Sequence, residues 1–222
     1  MTYLEFLDIL RPYAEEKFAD FQRKLIFTDR KILGVRTPTM RKIAKEYGKD
    51  FKTIFDFPNE YYEVVFIKLA MVSALPYEQF VRCVKQCVAL MDCWALCDSF
   101  KVKCIKKHKA EFLRELEEIF LCGGEYDERY PLVVILSEYM EKEDLYIAEN
   151  YLIRADTSRY YVSMAAAWLL SEILIKHYDS GKGILVRRLM DNKTHNRAIQ
   201  KAIDSYRLTK IQKDELRSLK IK

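Results

Sequence analysis

A helical period runs through this chain almost from end to end, and the stretches that interrupt it are short. With only 6 Gly and 5 Pro among 222 residues, and with Leu, Ile, Glu, Lys and Ala abundant, little in it breaks helices and few alternating β-branched runs could make strands. The spacing predicts helices over Tyr3–Tyr13, Glu15–Phe27, a segment starting at Pro38, Asn59–Leu75, Tyr77–Met91, Trp94 to near Lys107, and Lys109–Cys122. Beyond Gly123-Gly124 it predicts Asp127–Met140, Asp144–Arg154, Ser158–Tyr178, Ile184–Met190, Lys193–Tyr206 and Lys210–Leu219. In the second helix Phe18, Phe21, Leu25 and Ile26 form an expected inward side. Helix pairs recurring at roughly 35 to 45 residues, with no flexible linker, are the signature of a repeat array. The expectation is an all-α fold, a superhelical array of about six antiparallel helix pairs of the HEAT-like or ARM type, forming one domain over residues 1–222. A globular all-α bundle is the alternative.

Composition narrows the class further. Charges interrupt every apolar run before the roughly 18 residues that spanning a bilayer requires, and no apolar leader precedes a small-residue cleavage site, so a soluble cytoplasmic protein without membrane contact is expected. The 6 cysteines (Cys83, Cys87, Cys93, Cys97, Cys104, Cys122) contain no C-x-x-C pair, and their recurrent four-residue spacing is that of a buried helix face, so free core thiols are expected. His108, His177 and His195 have no ligand spacing. No metal and no cofactor are expected, and a repeat array with polar terminal helices is expected to be a monomer.

The formal net charge of +5 is unevenly spread. From Lys182 onward twelve bases face four acids, which leaves the remainder of the chain acidic on balance, and Lys101, Lys103, Lys106, Lys107 and Lys109 form a second cluster. Such asymmetry suits a polyanion, although a lysine-rich face is also commonly just solvated. In Lys31-Ile32-Leu33-Gly34-Val35-Arg36-Thr37-Pro38-Thr39-Met40-Arg41, Thr37 is read as an N-cap and Pro38 as the first helical residue. Arg36, Thr39 and Arg41 at that N-terminus would suit a phosphate, and a capped loop without a ligand fits equally.

The chemistry-bearing stretch is Asp92-Cys93-Trp94-Ala95-Leu96-Cys97-Asp98-Ser99, which puts an indole and a carboxylate four residues apart on one helix face. Cys93, Leu96, Cys97 and Phe100 can bury the helix while Trp94 and Asp98 face a groove; spacing alone favours Trp94 as core and Asp98 as a solvated acid. Two further residues stand out. Arg129 precedes an unbroken apolar helix in which it is the only base, and Trp168, the second of only 2 Trp, follows Ala165-Ala166-Ala167, small enough to admit a neighbouring helix. The bland reading makes Arg129 a surface partner of Glu128 or Asp127 and Trp168 a core residue.

At these residues the chain resembles the alkylpurine DNA glycosylases built from HEAT-like repeats, the AlkD-type DNA alkylation repair family. The resemblance spans nearly the whole chain. It is carried by Leu33 through Lys42, by Asp92-Cys93-Trp94 through Asp98, by Arg129, by Tyr160-Tyr161 through Trp168, and by Asn196 through Arg207. The sequence departs from the family pattern at Pro131 and in the cysteines around Trp94. The resemblance implies a catalytic Asp98, active-site Trp94 and Trp168, an active-site Arg129, and excision of cationic N3- or N7-alkylated purines from double-stranded DNA without deep base flipping. A non-catalytic HEAT-like module that binds DNA structures or a protein is the competing class.

If the basic C-terminal region meets duplex DNA, affinity falls steeply with salt. Charge reversal at Lys193, Arg197, Lys201 or Arg207 is expected to flatten the slope of log affinity against log salt by about 0.9 for each phosphate no longer neutralised. Unchanged binding and slope after reversal at Arg197 and Lys201 would place the DNA elsewhere.

Overall fold

The computed structural model describes residues 1–221, and among them every regular element is a helix; the one β-type pairing is an isolated parallel bridge between Lys31 and Tyr61. The fold is all-α, built of helices in HEAT-like repeat fashion. Two compact units follow each other along the chain, Met1–Lys107 and a second that begins at His108. No helix among the described residues is long and apolar enough to cross a membrane.

The first unit contains α1 (Tyr3–Leu10), α2 (Glu16–Leu25), α3 (Thr37–Glu46), a short α4 (Phe51–Phe55), α5 (Tyr62–Val72), α6 (Tyr77–Ala89) and α7 (Trp94–Ser99). Thr2 and Glu5 open α1 with a reciprocal capping box. The centre of the unit is α5, buried on all sides, as its nearly unbroken apolar composition requires. It also carries two charged residues into the interior, Glu63 (0 % exposed) and Lys68 (1 %). Glu63 Oε1 accepts the backbone N–H groups of Leu33, Gly34 and Val35 at 3.0, 2.8 and 3.3 Å. Lys68 Nζ donates to the Phe57 carbonyl and to Asn59 Oδ1, the latter at 2.7 Å. Desolvation raises the Glu63 carboxyl above its ordinary range and lowers the Lys68 amine to about 8.

The Glu63 clasp explains the loop that precedes α3. Gly34 there has φ +84°, and a Cβ on it would lie 2.3 Å from the Glu15 carbonyl oxygen, so only glycine lets the loop pass so close to the start of α2. The N-cap of α3 is Arg36 and not Thr37, because the extended backbone fixed by the clasp ends one residue earlier than the Thr-Pro pair suggests.

The second unit contains α8 (Lys109–Phe120), α9 (Glu125–Glu138), α10 (Leu145–Arg154), α11 (Tyr160–Lys176), α12 (Tyr178–Val186), α13 (Asn192–Asp204) and α14 (Lys210–Ser218). Its central helix is α11, packed chiefly against α9 and α13. Ala165, Ala166 and Ala167 are completely or almost completely buried, as expected of small residues under close helix packing. Pro131 lies inside α9, which continues through it to Glu138.

Several elements differ from the sequence expectation. The helix expected to run from Trp94 to near Lys107 stops at Ser99, because Phe100 and Val102 are both buried while Lys101 and Lys103 are exposed, a two-residue alternation that only extended backbone satisfies; a 3-10 turn follows at Lys103–Lys107. The helix expected at Ile184–Met190 begins at Tyr178, since Gly181 serves contact and not a break: a Cβ there would lie 2.8 Å from the backbone nitrogen of Leu174. On α2 the inward residues are Ala19 and Gln22, with Ile26 just beyond; Phe21 and Leu25 are exposed and Phe18 is half-buried. Of the cysteines, Cys87, Cys93 and Cys97 are buried, Cys83 and Cys104 are half-buried, and Cys122 is exposed at the end of α8 instead of in the core.

Glu63→Ala would leave three buried N–H groups of the Leu33–Val35 loop without an acceptor, each worth roughly 1–3 kcal/mol. The expected result is a loss of about 3 kcal/mol or more in urea unfolding, with Glu63→Gln, which retains one acceptor oxygen, less damaging. A change under about 1 kcal/mol in Glu63→Ala would show that water or another group replaces the carboxylate.

Candidate active site and nucleic-acid interface

In the first unit the site is assembled by a knot centred on Arg30. Its guanidinium pairs with Asp92, donates from Nη2 to the Leu90 carbonyl at 2.9 Å, and donates from Nε to the Asn59 carbonyl at 3.0 Å. Thr28 Oγ1 donates to the other oxygen of Asp92 at 2.5 Å. Asp92 is thus a structural anchor that ties the segment after α2 to the turn before α7. That turn delivers Cys93, fully buried, as the N-cap of α7.

On α7 the faces separate. Ala95, Leu96 and Cys97 are buried, whereas Trp94 is 38 % exposed and Asp98 is half-buried on the same side one turn later. The Trp94 indole N–H donates to the Leu25 carbonyl at 3.1 Å, which fixes the ring orientation from the end of α2. Around that end of α2, Phe21, Leu25 and Phe27 are exposed, the last 72 % exposed. Apolar residues at helical spacing point to a core face, so the sequence alone does not show this apolar edge; its exposure follows from the small Ala19 and polar Gln22 taking the inward face.

The predicted basic residues of this unit are held differently from one another. Arg36 makes a two-point contact with Glu15, at 3.0 and 2.8 Å, and lies 4.0 Å above the Phe18 ring, so its charge is matched and the Glu15 carboxyl is held below its usual range. Arg41 donates to the Ser99 carbonyl at 3.3 Å, next in chain to Asp98. Thr39 is half-buried and Lys101 is exposed just past α7.

In the second unit Arg129 is buried, at 4 %, and does not lie on the surface. Its Nη1 donates to the Tyr161 carbonyl at 2.7 Å, with the guanidinium 5.9 Å from the Tyr161 ring centre. Glu125, one helical turn earlier on α9, accepts the Tyr161 N–H at 2.8 Å. Both main-chain groups of Tyr161 are therefore held from α9, which fixes the first turn of α11. Glu128 accepts the Asp156 N–H at 2.6 Å and steadies the preceding loop. Trp168 lies on α11 seven residues after Tyr161, on the same side, and is half-buried.

Among the C-terminal bases, Lys193 is exposed, Lys201 is half-buried, Arg197 donates to Ser163 Oγ at 2.6 Å, and Arg207 is paired with Glu172 at 2.8 Å. The four residues of the expected catalytic set thus fall two to each unit, Trp94 and Asp98 in the first, Arg129 and Trp168 in the second.

An all-helical repeat fold that presents a Trp–Asp pair on a short helix and basic side chains on several others defines a HEAT-like class of protein suited to nucleic acid. The chain belongs to the DNA alkylation repair enzyme family, whose model matches residues 7–203. It is accordingly an enzyme of DNA repair with DNA as its substrate. Neither a curated protein nor a solved structure matches it.

The Arg30 knot generates a direct expectation. In a Trp168→Phe background, where Trp94 is the sole indole, Arg30→Met is expected to cost about 2–3 kcal/mol of stability and to shift Trp94 emission to longer wavelength as the turn before α7 loosens. Unaltered emission and unfolding midpoint would show that Arg30 does not position Trp94.

Proposed function

We propose that this protein is a monofunctional DNA glycosylase that hydrolyses the N-glycosidic bond of cationic N3- and N7-alkylated purines in duplex DNA. The observation that carries the reading is the division of α7, in which Trp94 and Asp98 reach solvent on one side while Ala95, Leu96 and Cys97 are buried, in a member of a DNA alkylation repair family.

An alkylated purine of this kind is already positively charged, so its glycosidic bond is weakened and cleavage moves cationic character onto the deoxyribose. The Asp98 carboxylate stabilises that developing charge and orients the attacking water. Trp94 and Trp168 present electron-rich ring faces to the cationic nucleotide. The Trp94 ring is pre-set by its bond to Leu25, so little ordering remains to be done on binding. Arg129, bonded to the Tyr161 carbonyl and near its ring, acts in this reading by fixing the start of α11 and with it the tyrosines there. Water is the nucleophile, and no Schiff-base lysine is invoked, so no lyase step follows. The protein acts as a monomer. A binding module without catalysis is the reading to be tested against this one.

Asp98→Asn retains size and hydrogen-bonding capacity and removes the charge. Single-turnover release of 7-methylguanine at saturating enzyme is expected to slow by about a hundred- to a thousandfold, corresponding to roughly 3–4 kcal/mol, with circular dichroism and duplex affinity little changed. Equal rates for the two proteins would remove Asp98 from the mechanism, and no release by wild type would leave the binding module.

A further inference from the structure

The second unit contains an open cleft of about 510 Å³ where the loop before α11 meets the start of α13. Its volume is that of an ordinary small-ligand site. One wall is the ring of Tyr160, 56 % exposed. That ring does not move freely: its edge meets Tyr161 at 5.2 Å between centroids, and Tyr161 in turn lies 5.8 Å from Tyr126 and is gripped by α9 through Glu125 and Arg129. The cleft therefore has an exposed aromatic wall whose ring is braced at its edge by a tyrosine held from α9.

Two cations stand beside this wall. Lys193 is exposed at the first turn of α13, and Arg197 lies one turn further, 5.6 Å from the Tyr160 ring centre. Arg197 is aimed by Ser163 Oγ, itself buried and hydrogen-bonded to Thr194 Oγ1 at 2.6 Å. Two carboxylates also line the space, and local donors occupy both. Asp191 caps α13, accepting the N–H groups of Lys193 and Thr194 at 2.9 and 3.0 Å, while Asp156 accepts from Ser158 Oγ at 2.5 Å and pairs with Arg159 at 3.1 Å. Arg197, by contrast, is held by a neutral hydroxyl, which orients its positive charge without cancelling it. An aromatic face and two phosphate-type donors within one cleft are the parts of a single-nucleotide site.

We propose that this cleft receives one unstacked nucleotide of the DNA, its base lying on Tyr160 and its phosphate held between Lys193 and Arg197. The inference rests on the DNA-binding part of the proposed function and is independent of catalysis. A paired base cannot offer its face to a side chain, so the site discriminates in favour of duplexes that already contain an unpaired nucleotide. Tyr160 supplies that preference; Lys193 and Arg197 supply sequence-independent attraction.

The test uses two otherwise identical unalkylated duplexes, one fully paired and one with a single unpaired 2-aminopurine, titrated with wild type, Tyr160→Phe, Tyr160→Ala and Arg197→Gln. Wild type and Tyr160→Phe are expected to prefer the duplex with the unpaired base and to quench its fluorescence. Tyr160→Ala is expected to lose about tenfold in affinity for that duplex only, with its salt dependence intact. Arg197→Gln is expected to weaken binding to both duplexes and flatten the salt slope by about 0.9. If Tyr160→Ala binds both duplexes and quenches as wild type does, the inference fails while DNA binding stands. If wild type binds neither duplex at any salt concentration, the reading of a DNA-binding surface falls with it.

Discussion

The buried carboxylate of Glu63 is the contact on which the first unit depends, because it satisfies three consecutive backbone amides of a loop that has no other secondary structure to bond with. It lies on α5, the one helix of that unit buried all round, and so converts a helix position into a loop conformation. Without it the passage of Gly34 against the start of α2 would leave unpaired N–H groups in the interior. The second unit solves a similar problem with the same chemistry. Glu125 and Glu128 near the start of α9 accept amides from the start of α11 and from the loop before it. In each unit a glutamate on an inner helix disciplines a connection leading to side chains of functional interest.

This arrangement matters for chemistry of the kind proposed. Electrostatic stabilisation of a short-lived sugar cation is effective only if the stabilising group needs no reorganisation when charge appears. The Arg30–Asp92 pair, the buried Cys93 cap and the Trp94–Leu25 bond all restrain a helix only six residues long, too short to hold itself. Its rigidity is borrowed from its surroundings. Arg41, bonded to the last residue of that helix, places a positive group near the carboxylate side of it and adds to the restraint.

The helices are legible in the sequence wherever apolar residues keep a helical period over several turns, as in α6, α8 and α13, and in α5 from a long apolar run bounded by prolines. Legibility fails where tertiary contact overrides local pattern. Gly181 resembles a helix breaker until the backbone of Leu174 is seen beside it, and Phe100 with Val102 is too short an alternation to stand out against a helical background. Trp94 and Asp98 can be singled out because their spacing and rarity are visible in one stretch. The depth of Arg129 cannot, since nothing local says that the Tyr161 carbonyl awaits its guanidinium from 32 residues away. Nor does the cleft beside Tyr160 have a local signature, being formed from residues of a loop and of two helices. Phe21 and Leu25 mark the converse error, in which apolar identity is equated with burial.

The cysteines acquire a different meaning in a protein whose family deals with alkylation damage. Soft electrophiles that modify purines also attack sulfur, and they do so through the thiolate. Burial pushes the Cys93 thiol up to about 12 and raises that of Cys87 even further, so at neutral pH both stay protonated and shielded in the interior around α6 and α7. Cys83 and Cys104 are also raised by desolvation. The packing that holds α7 in place is thus also what desolvates the Cys93 and Cys87 thiols. Cys122, exposed at the end of α8, is the thiol that an electrophile in solution meets first.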